Sequence, residues 1–504
     1  MIIKTSPDEI QNYLVDASNF RGYCDTVYLP SNEKEIIEIV KEANSKKQKV
    51  TIAGNHTGLS GGCVPLGGIV ISTEKMNKIL EIDSENKSAI VEPAVILREF
   101  QSKVREYNLL YPPDPTEKNC FIGGTLATNA SGEKTFKYGS TRVYVEKLDV
   151  VLADGDQLKI ERGKFKAEGY NLFIKTESKK EYKLETPAIN TPLTKNAAGY
   201  YSKKDMDAID LFVGSEGTLG VITKAQLKLV PHPEQIISCI IFFDDEKNAL
   251  QFIFDARNKS YQTRNEKSDN TIDALALEFL DEHSLNFIKD DYNQIPSDAK
   301  AAVWFEQEVN KDNEEVLFES WMKLVAEHKG NEESAWFAMN EKEKTEIQEL
   351  RHNVSLKVAD YLSLHNVKKL GTDSAVPDEN FIEFYYFCKE EMKKNNFNYV
   401  AYGHFGNSHV HMNMLPKDEE EYLKGKILYS NIYRKAVELG GTVSAEHGIG
   451  KLKTEHLLNM YGEKIIQKMY RIKNMLDPNL TLGAGNIFNE KWKSKLLFIL
   501  PNTI

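Results

Sequence analysis

The stretch TIAGNHTGLSGGCVPLGG, residues 51–68, decides how this sequence is interpreted. It places glycines between two short apolar runs, KVTIAG and GIVIS, that have the composition of β-strands. Glycine lets successive backbone N–H groups converge on an anion without interference from a Cβ atom, and a pyrophosphate needs that arrangement. Tight turns also select glycine, so this loop alone favours nucleotide binding no more than it favours a plain turn.

The segments around this loop predict an α+β protein with three regions. A helical spacing of apolar residues over 31–46 precedes the loop, and the order helix, strand, glycine loop, strand is typical of an α+β nucleotide-binding unit. A Pro-His-Pro break near Pro233 ends the first predicted domain, residues 1–233. Alternating β-rich and helical stretches predict a second α+β domain over 234–450, and residues 451–504 contain a helix and an apolar strand at 495–500.

Three segments of the first domain carry more local expectations. An Asp-Gly turn at Asp154 and Gly155 predicts a hairpin. The Lys-rich and Glu-rich stretch 161–194 fits an inserted lid and a plain solvated loop equally well. The run AIDLFVGSEGTLGVITKAQLKLVPHP predicts two β-rich segments around a glycine turn.

Two further glycine-rich segments follow the first loop. YPPDPTEKNCFIGGTLATNASGEKTFKYGST, residues 111–141, presents small residues and amides suited to a flat ring system, and VGSEGTLGVIT, residues 213–223, sets Glu216 between two glycines. A hairpin could explain any one of these segments. Together, in order and spacing, the three loops resemble the PCMH-type FAD-binding domain of the vanillyl-alcohol oxidase family, which usually reads RGGGTGLSGG, GGxxATNAGG and GSEGTLGIIT. The resemblance covers about the first 230 residues.

This resemblance implies a two-subdomain FAD-binding domain over residues 1–233 and a substrate-binding cap domain with an antiparallel sheet over 234–450. It also implies that the C-terminal segment 451–504 returns to the flavin side, and it implies a set of cofactor contacts. The implied contacts are Gly54, Asn55, His56, Thr57, Gly58, Leu59, Ser60, Pro113, Asp114, Gly123, Gly124, Thr125, Ala127, Asn129, Gly132, Glu216, Gly217, Gly220 and Ile222. Some relatives attach FAD through a loop histidine, and His56 falls one position before the usual place, so we expect FAD to be bound non-covalently. No G-x-G-x-x-G strand-to-helix signature occurs, and NAD is therefore not implied.

The strongest chemical pattern lies in GHFGNSHVHMN, residues 403–413, followed by SAEHGIGK, residues 444–451. Four histidines and Glu446 occur there, and two imidazoles plus one carboxylate form the ligand set of a catalytic divalent metal, zinc above all. A polar hairpin with unrelated histidines explains the count almost as well.

The same segments resemble the paired motifs GHxGDGNxHxN and SGEHGIGxxK of the D-lactate, glycolate and D-2-hydroxyglutarate dehydrogenase branch. The resemblance implies His404, His411 and Glu446 as metal ligands, His447 as the catalytic base and Asn413 as a substrate contact. Residues 407–409 depart from the motif, because Asn-Ser-His replaces Asp-Gly-Asn. The segment IQELRHNVS resembles WxxRExxS, which implies Arg351 as the cation for the substrate carboxylate and Ser355 as its companion.

The implied reaction oxidises a D-2-hydroxy acid to the 2-oxo acid, with the C2 hydride passing to flavin N5. Gly371 stands where relatives often have a lysine, which favours a monocarboxylate such as D-lactate or glycolate over 2-hydroxyglutarate. Electrons would leave to a quinone, an electron-transfer flavoprotein or a partner subunit. The alternatives are a flavin-binding subunit that only relays electrons and an enzyme like alkyldihydroxyacetone-phosphate synthase.

Composition and charge limit which classes of protein and partner remain possible. The net charge is −11 over 504 residues without a long basic block, so nucleic acid is not an expected partner. Five dispersed cysteines without a C-x-x-C pair argue against a disulfide framework and against an iron–sulfur site built by this chain alone. No long apolar segment is present, and we expect a cytoplasmic enzyme, with peripheral contact at the inner face of the membrane and a homodimer left open.

Overall fold

The computed structural model describes residues 1–338 and 340–492, and the apolar run predicted as a strand at 495–500 lies outside them. The α-helices are α1 (Pro7–Ile10), α2 (Glu33–Ser45), α3 (Leu97–Arg105), α4 (Ile122–Thr128), α5 (Thr135–Tyr138), α6 (Ala208–Phe212), α7 (Glu246–Glu266), α8 (Glu282–Ile288), α9 (Glu314–Glu327), α10 (Glu341–Leu364), α11 (Phe381–Lys394), α12 (Glu419–Glu438) and α13 (Thr454–Leu476).

The strands of the first half are β1 (Ile2–Lys4), β2 (Thr26–Leu29), β3 (Val50–Ala53), β4 (Ile69–Ser72), β5 (Ile79–Asp83), β6 (Ser88–Val91), β7 (Leu109–Leu110), β8 (Val145–Val151), β9 (Gln157–Glu161), β10 (Asn171–Lys175), β11 (Glu181–Glu185), β12 (Val221–Lys228) and β13 (Val230–Pro231). Those of the second half are β14 (Gln235–Phe243), β15 (Ala276–Asp281), β16 (Ala301–Val309), β17 (Asn331–Phe337), β18 (Leu370–Gly371), β19 (Ser374–Ala375), β20 (Tyr399–Gly403) and β21 (His409–Met414).

The N-terminal region contains two larger sheets, as the sequence predicts for a two-subdomain α+β unit, and two small two-stranded sheets, β10-β11 and β7-β13. The first has the order β1-β2-β4-β3, in which β4 pairs in parallel with both β2 and β3. Helix α2 buries Ile36, Val40 and Ala43, and it begins where the side chain of Asn32 accepts a hydrogen bond from the Glu35 N–H. The predicted helix and the two strands that flank the first glycine loop are confirmed.

The second sheet is antiparallel, in the order β5-β6-β12-β8-β9. Strands β8 and β9 form the predicted hairpin, and Gly155 in its turn has a φ of 78°, a conformation that favours glycine. The first glycine loop lies between strands of the first sheet, and the third loop precedes β12 of the second sheet.

Two local predictions require correction. Residues 161–194 are neither a lid nor a plain loop over their whole length, because β10 and β11 form an antiparallel hairpin. Every second residue of that hairpin is buried, Leu172 and Leu184 among them, so its strand alternation was present in the sequence but overlooked. The run AIDLF is helix α6 rather than a strand, because Asp207 caps it by accepting from the Ile209 N–H.

The C-terminal half is organised around an eight-stranded sheet with the main order β17-β14-β16-β15-β20-β21-β18, and β19 also pairs with β21. Neighbouring strands in it run antiparallel. Helix α13 packs back onto the first half, where Leu457 and Met469 share a hydrophobic core with Leu126 and Leu148. This return brings the preceding segment, residues 444–451, between the two halves of the chain.

Within the two described ranges, no helix is both long enough and apolar enough to cross a membrane.

Candidate active site

The first glycine loop leaves a row of backbone donors free. Across residues 1–338 and 340–492, the N–H groups of residues 55–60 donate to no protein acceptor. His56 has a φ of 55° and Gly61 a φ of 74°, so the chain turns sharply at both places. Consecutive unpaired N–H groups in a turn form an anion-binding concavity, and this loop therefore fits a pyrophosphate.

The side chain of His56 packs beneath this loop. Its ring meets Tyr13 edge to face with centroids 5.7 Å apart, and its Nδ1 lies 3.5 Å from the sulfur of Cys63. Burial lowers the pKa of His56. The imidazole is therefore a neutral packing element here, which is compatible with the expected non-covalent mode of flavin binding.

The second loop is held by close backbone approaches. A Cβ on Gly132 would lie 1.9 Å from the carbonyl oxygen of Asp114, and one on Gly123 would lie 2.7 Å from Pro93, so both positions exclude a side chain. A Cβ on Gly124 would meet nothing within 4 Å, which leaves space beside helix α4. Asn129 ends that helix in the left-handed conformation.

The other predicted cofactor contacts of the second and third loops have structural partners. Hydrogen bonds with neighbouring groups are made by the carbonyl oxygens of Pro113 and Ala127 and by the hydroxyl of Thr125. Gly217 has a positive φ. Gly220 packs on Val150, and Ile222 pairs with the same residue across the sheet.

Glu216 joins the third loop to the C-terminal motif. Its buried carboxylate accepts hydrogen bonds from the N–H groups of Ile449, at 2.7 Å, and Gly450, at 2.6 Å. Burial raises the pKa of Glu216 to about 7, although these two donors oppose the rise. The side chain therefore positions the segment that carries Glu446 and His447, whereas the sequence had assigned it to the cofactor.

The histidines of the first C-terminal motif lie on and beside the hairpin of β20 and β21. His404 follows β20 directly, and His409 and His411 share one face of β21 because side chains alternate along a strand. With Glu446 they form a group of buried ligand atoms that all lie within 4.8 Å of one another. The structure thus brings together the three predicted metal ligands and adds His409.

The Glu446 carboxylate is the centre of this group. Its Oε1 lies 3.2 Å from His404 Nε2 and its Oε2 lies 3.9 Å from His411 Nε2. Lys195, which the sequence did not single out, places its buried ammonium in contact with Oε1. Burial alone would raise the pKa of Glu446, but His404 and Lys195 hold that pKa well below its ordinary value.

A buried acid behind His404 fixes the orientation of its ring. Glu278 Oε1 lies 2.6 Å from His404 Nδ1, which leaves Nε2 facing Glu446. Burial would lower the pKa of His404, but the carboxylates of Glu278 and Glu446 raise it to about 9. A carboxylate on the far nitrogen of a histidine is the usual support of a metal-binding imidazole.

Arg351, the predicted substrate cation, lies behind the same acid. Its Nε and Nη2 both contact Glu278 Oε2 at 3.0 Å, and its guanidinium stacks on the ring of Tyr402. Ser355, one turn further along α10, hydrogen-bonds to the Tyr402 hydroxyl at 2.7 Å. Arg351 therefore supports the acid behind His404, and Nη1 is the nitrogen that Glu278 does not engage.

Asp373 is the buried acid beside His447. It accepts hydrogen bonds from the N–H groups of Glu446 and His447 and from the ammonium of Lys453 at 2.7 Å. His447 Nδ1 lies 3.4 Å from Asp373, and the imidazole remains 24% exposed. Burial lowers the pKa of His447 to about 4, so at neutral pH the ring is uncharged and can accept a proton.

Asn413 completes the predicted set. It is buried on β21, and its Oδ1 has no hydrogen-bond partner within the described residues. A Cβ on Gly371 would lie 2.4 Å from that oxygen, so a larger residue there would have to displace the Asn413 side chain. An unpaired buried acceptor beside the cluster fits contact with a bound donor such as a hydroxyl.

Sequence reasoning missed Lys195, Glu278 and Asp373, and it treated His409 only as a departure from a motif. The HVH alternation was the one local signal, because residues two apart on a strand share a face. Lys195 and Glu278 lie far from the motifs in sequence, and Asp373 was passed over although it follows Gly371 by two residues.

Fold and site together define a flavin-dependent oxidoreductase with an N-terminal nucleotide cradle and a histidine-rich C-terminal centre. Residues 24–161 match the family described as FAD binding domain, and residues 243–487 match FAD linked oxidases, C-terminal domain. The chain belongs to this FAD-linked oxidase family and is an FAD-dependent enzyme.

Relatives agree with that assignment. The chain is 32% identical to glycolate oxidase subunit GlcD of Bacillus subtilis, over 96% of this chain and 93% of that protein. It is 28% identical to a D-lactate dehydrogenase of Anaerostipes hadrus, over 91% and 88%. A solved alkyldihydroxyacetonephosphate synthase aligns with a TM-score of 0.65 at 17% identity, over 95% and 81%, and this likeness concerns the fold alone.

Proposed function

We propose that this protein is an FAD-dependent dehydrogenase that oxidises a D-2-hydroxy acid, D-lactate or glycolate in type, to the 2-oxo acid. The observation that carries the proposal is the placement of His447, whose ring stacks on that of His411, beside the cluster of His404, His411 and Glu446. The relatives named glycolate oxidase subunit and D-lactate dehydrogenase support the same substrate class.

Three of these four residues would bind a metal, and the three glycine loops would bind FAD. His404, His411 and Glu446 would hold a divalent metal, for which zinc is the first expectation, and the ligand atoms lie close enough to converge on one ion. The metal supplies polarisation of the substrate hydroxyl when bound, and FAD, held non-covalently by the three loops, supplies the acceptor for the C2 hydride.

The protein side chains bind the substrate and move its proton. His447 takes the hydroxyl proton, and Asp373 stabilises the ring as it becomes charged. Asn413 is a proposed substrate contact, and the Nη1 nitrogen of Arg351, which Glu278 does not engage, is with Ser355 the proposed partner of the substrate carboxylate. Loss of that proton and of the C2 hydride gives the 2-oxo acid.

The reduced cofactor then passes its electrons to a quinone, an electron-transfer flavoprotein or a partner subunit. We place the enzyme in the cytoplasm, where 2-hydroxy acids of central metabolism would reach it.

Anaerobic reduction of the bound flavin tests this proposal. The purified holoenzyme is mixed without oxygen with D-lactate, L-lactate, glycolate or D-2-hydroxyglutarate, and loss of the oxidised flavin absorption is followed. We expect bleaching by D-lactate or glycolate and little by L-lactate. If dithionite reduces the flavin and none of the hydroxy acids does, the protein relays electrons from another donor and the proposal is wrong.

A further inference from the structure

His409 is a third buried imidazole in the cluster. Its ring is fully buried, with its centroid 4.3 Å from that of His411 and 5.3 Å from that of His404. In the part of the chain that the structure describes, neither ring nitrogen makes a hydrogen bond of good geometry. Buried polar atoms nearly always have a partner in native structures, so His409 Nδ1, which lies 3.9 Å from Glu446 Oε1, requires a partner that the described residues do not provide.

All three rings of the cluster are oriented in the same way. In each, one nitrogen faces an oxygen of a neighbouring residue and the other faces the Glu446 carboxylate. The facing pairs are His404 Nδ1 with Glu278 Oε1 at 2.6 Å, His411 Nδ1 with the Thr372 carbonyl at 3.1 Å, and His409 Nε2 with Asp373 Oδ1 at 3.2 Å. An acceptor behind the ring is what orients a metal-binding histidine, and His409 has one as His404 and His411 do.

The distances also suit one ion. From the Glu446 oxygens, His404 Nε2 lies at 3.2 Å, His409 Nδ1 at 3.9 Å and His411 Nε2 at 3.9 Å. Ligand bonds of about 2.0 to 2.2 Å in a tetrahedron separate neighbouring ligand atoms by roughly 3.3 to 3.6 Å. All four ligand atoms lie within 4.8 Å of one another, so side-chain adjustments of up to about 1 Å would bring them onto one metal.

We propose that His409 is a fourth protein ligand, so that the centre has three imidazoles and one carboxylate. This inference rests on the proposed metal of the active site and deepens it. Four protein ligands would fill a tetrahedral ion, whereas a substrate hydroxyl and carboxylate need open positions. The centre is therefore suited to a divalent metal that accepts five or six ligands, such as Mn²⁺, Fe²⁺ or Co²⁺.

The competing explanation is that the ammonium of Lys195 is the cation that this cluster holds. Lys195 contacts Glu446 Oε1 and lies 3.4 Å from the Gly132 carbonyl. It accounts for the charge of Glu446. Within the described residues, however, its ammonium donates to these two oxygens and to no imidazole nitrogen, so it does not explain why three imidazole nitrogens converge on Glu446.

X-ray absorption of the Co²⁺-loaded holoenzyme tests the proposal, because its fine structure counts imidazole ligands directly. We expect three imidazoles in the wild type and two in His409→Asn, with a visible Co²⁺ spectrum of the weak intensity typical of five or six ligands. Chelator competition should show Co²⁺ affinity at least 10-fold to 100-fold lower in His409→Asn. The matched control is His456→Asn, which removes a partly buried imidazole that packs on Tyr433 outside the cluster and should change neither quantity.

The outcomes separate this inference from the proposed function. Bound Co²⁺ with two imidazoles in the wild type would overturn the role of His409 and leave the three-ligand metal intact. Failure of the wild type to bind Co²⁺ or Zn²⁺ would overturn both and favour Lys195 as the cation. If His409→Asn does not fold, the wild-type count alone decides.

Discussion

Replacing Glu216 with glutamine tests how the third loop holds the catalytic segment. The carboxylate is fully buried and accepts from the N–H groups of Ile449 and Gly450. Burial raises its pKa from an ordinary value of 4.5 to about 7. Glutamine has nearly the same shape and no proton to lose, so Glu216→Gln isolates the energetic effect of ionisation at this site.

The sign of the effect follows from the direction of that shift. The folded protein keeps a proton that the unfolded chain releases, so this contribution to stability is complete below about pH 4.5 and is lost as pH rises through about 7. At about 1.4 kcal/mol per pH unit, the loss amounts to about 3 kcal/mol. The free energy of unfolding of Glu216→Gln, relative to wild type, should therefore increase by about 3 kcal/mol between roughly pH 4.5 and 8.

Urea unfolding of both proteins across that pH range measures the difference, and titration of other groups cancels in the comparison. Glu463→Gln, the same change at an exposed position of α13, serves as the control and should give a flat difference. A flat difference for Glu216→Gln as well would refute the reasoning, because the two backbone donors would then outweigh burial and keep the carboxylate charged throughout.

Three further predictions concern chemistry at the site. Glu446→Gln should lower metal content, because an amide is a poorer ligand than a carboxylate, whereas His447→Gln should keep metal and FAD but slow anaerobic flavin reduction by about 100-fold or more. Elemental analysis beside stopped-flow reduction checks this pair, and equal metal loss in both variants contradicts the assignment. Arg351→Lys should lower kcat/KM by the equivalent of about 1.5 to 3 kcal/mol without changing flavin content. Lysine has one side-chain nitrogen, so it cannot contact Glu278 with two nitrogens while a third binds the substrate. Unchanged kinetics would mean that another group binds the carboxylate. Acid precipitation should release FAD into the supernatant, and flavin retained in the pellet would show covalent attachment.

The secondary structure near the motifs was predictable because its determinants are local. The cap at Asn32 and the apolar spacing of α2 lie within one helix, and the turn glycine at Gly155 fixes its own hairpin. Helix α6 was mistaken for a strand because four of its five residues are apolar and five residues are too few to show a period.

The sequence by itself determined the family and its FAD cofactor, and it located most of the proposed metal ligands, because those residues fall in short motifs whose spacing is set by one loop or one hairpin. His404 and His411 flank the turn between β20 and β21, and Glu446 and His447 are adjacent. Only the tertiary structure decided which side chains contact these residues. Glu278 reaches His404 across 126 residues and Lys195 reaches Glu446 across 251, and such contacts depend on strand register and domain packing rather than on local pattern. Burial explains why acids such as Glu278 orient the histidines: a carboxylate removed from water must be paired, and the pairing holds the partner side chain in one position.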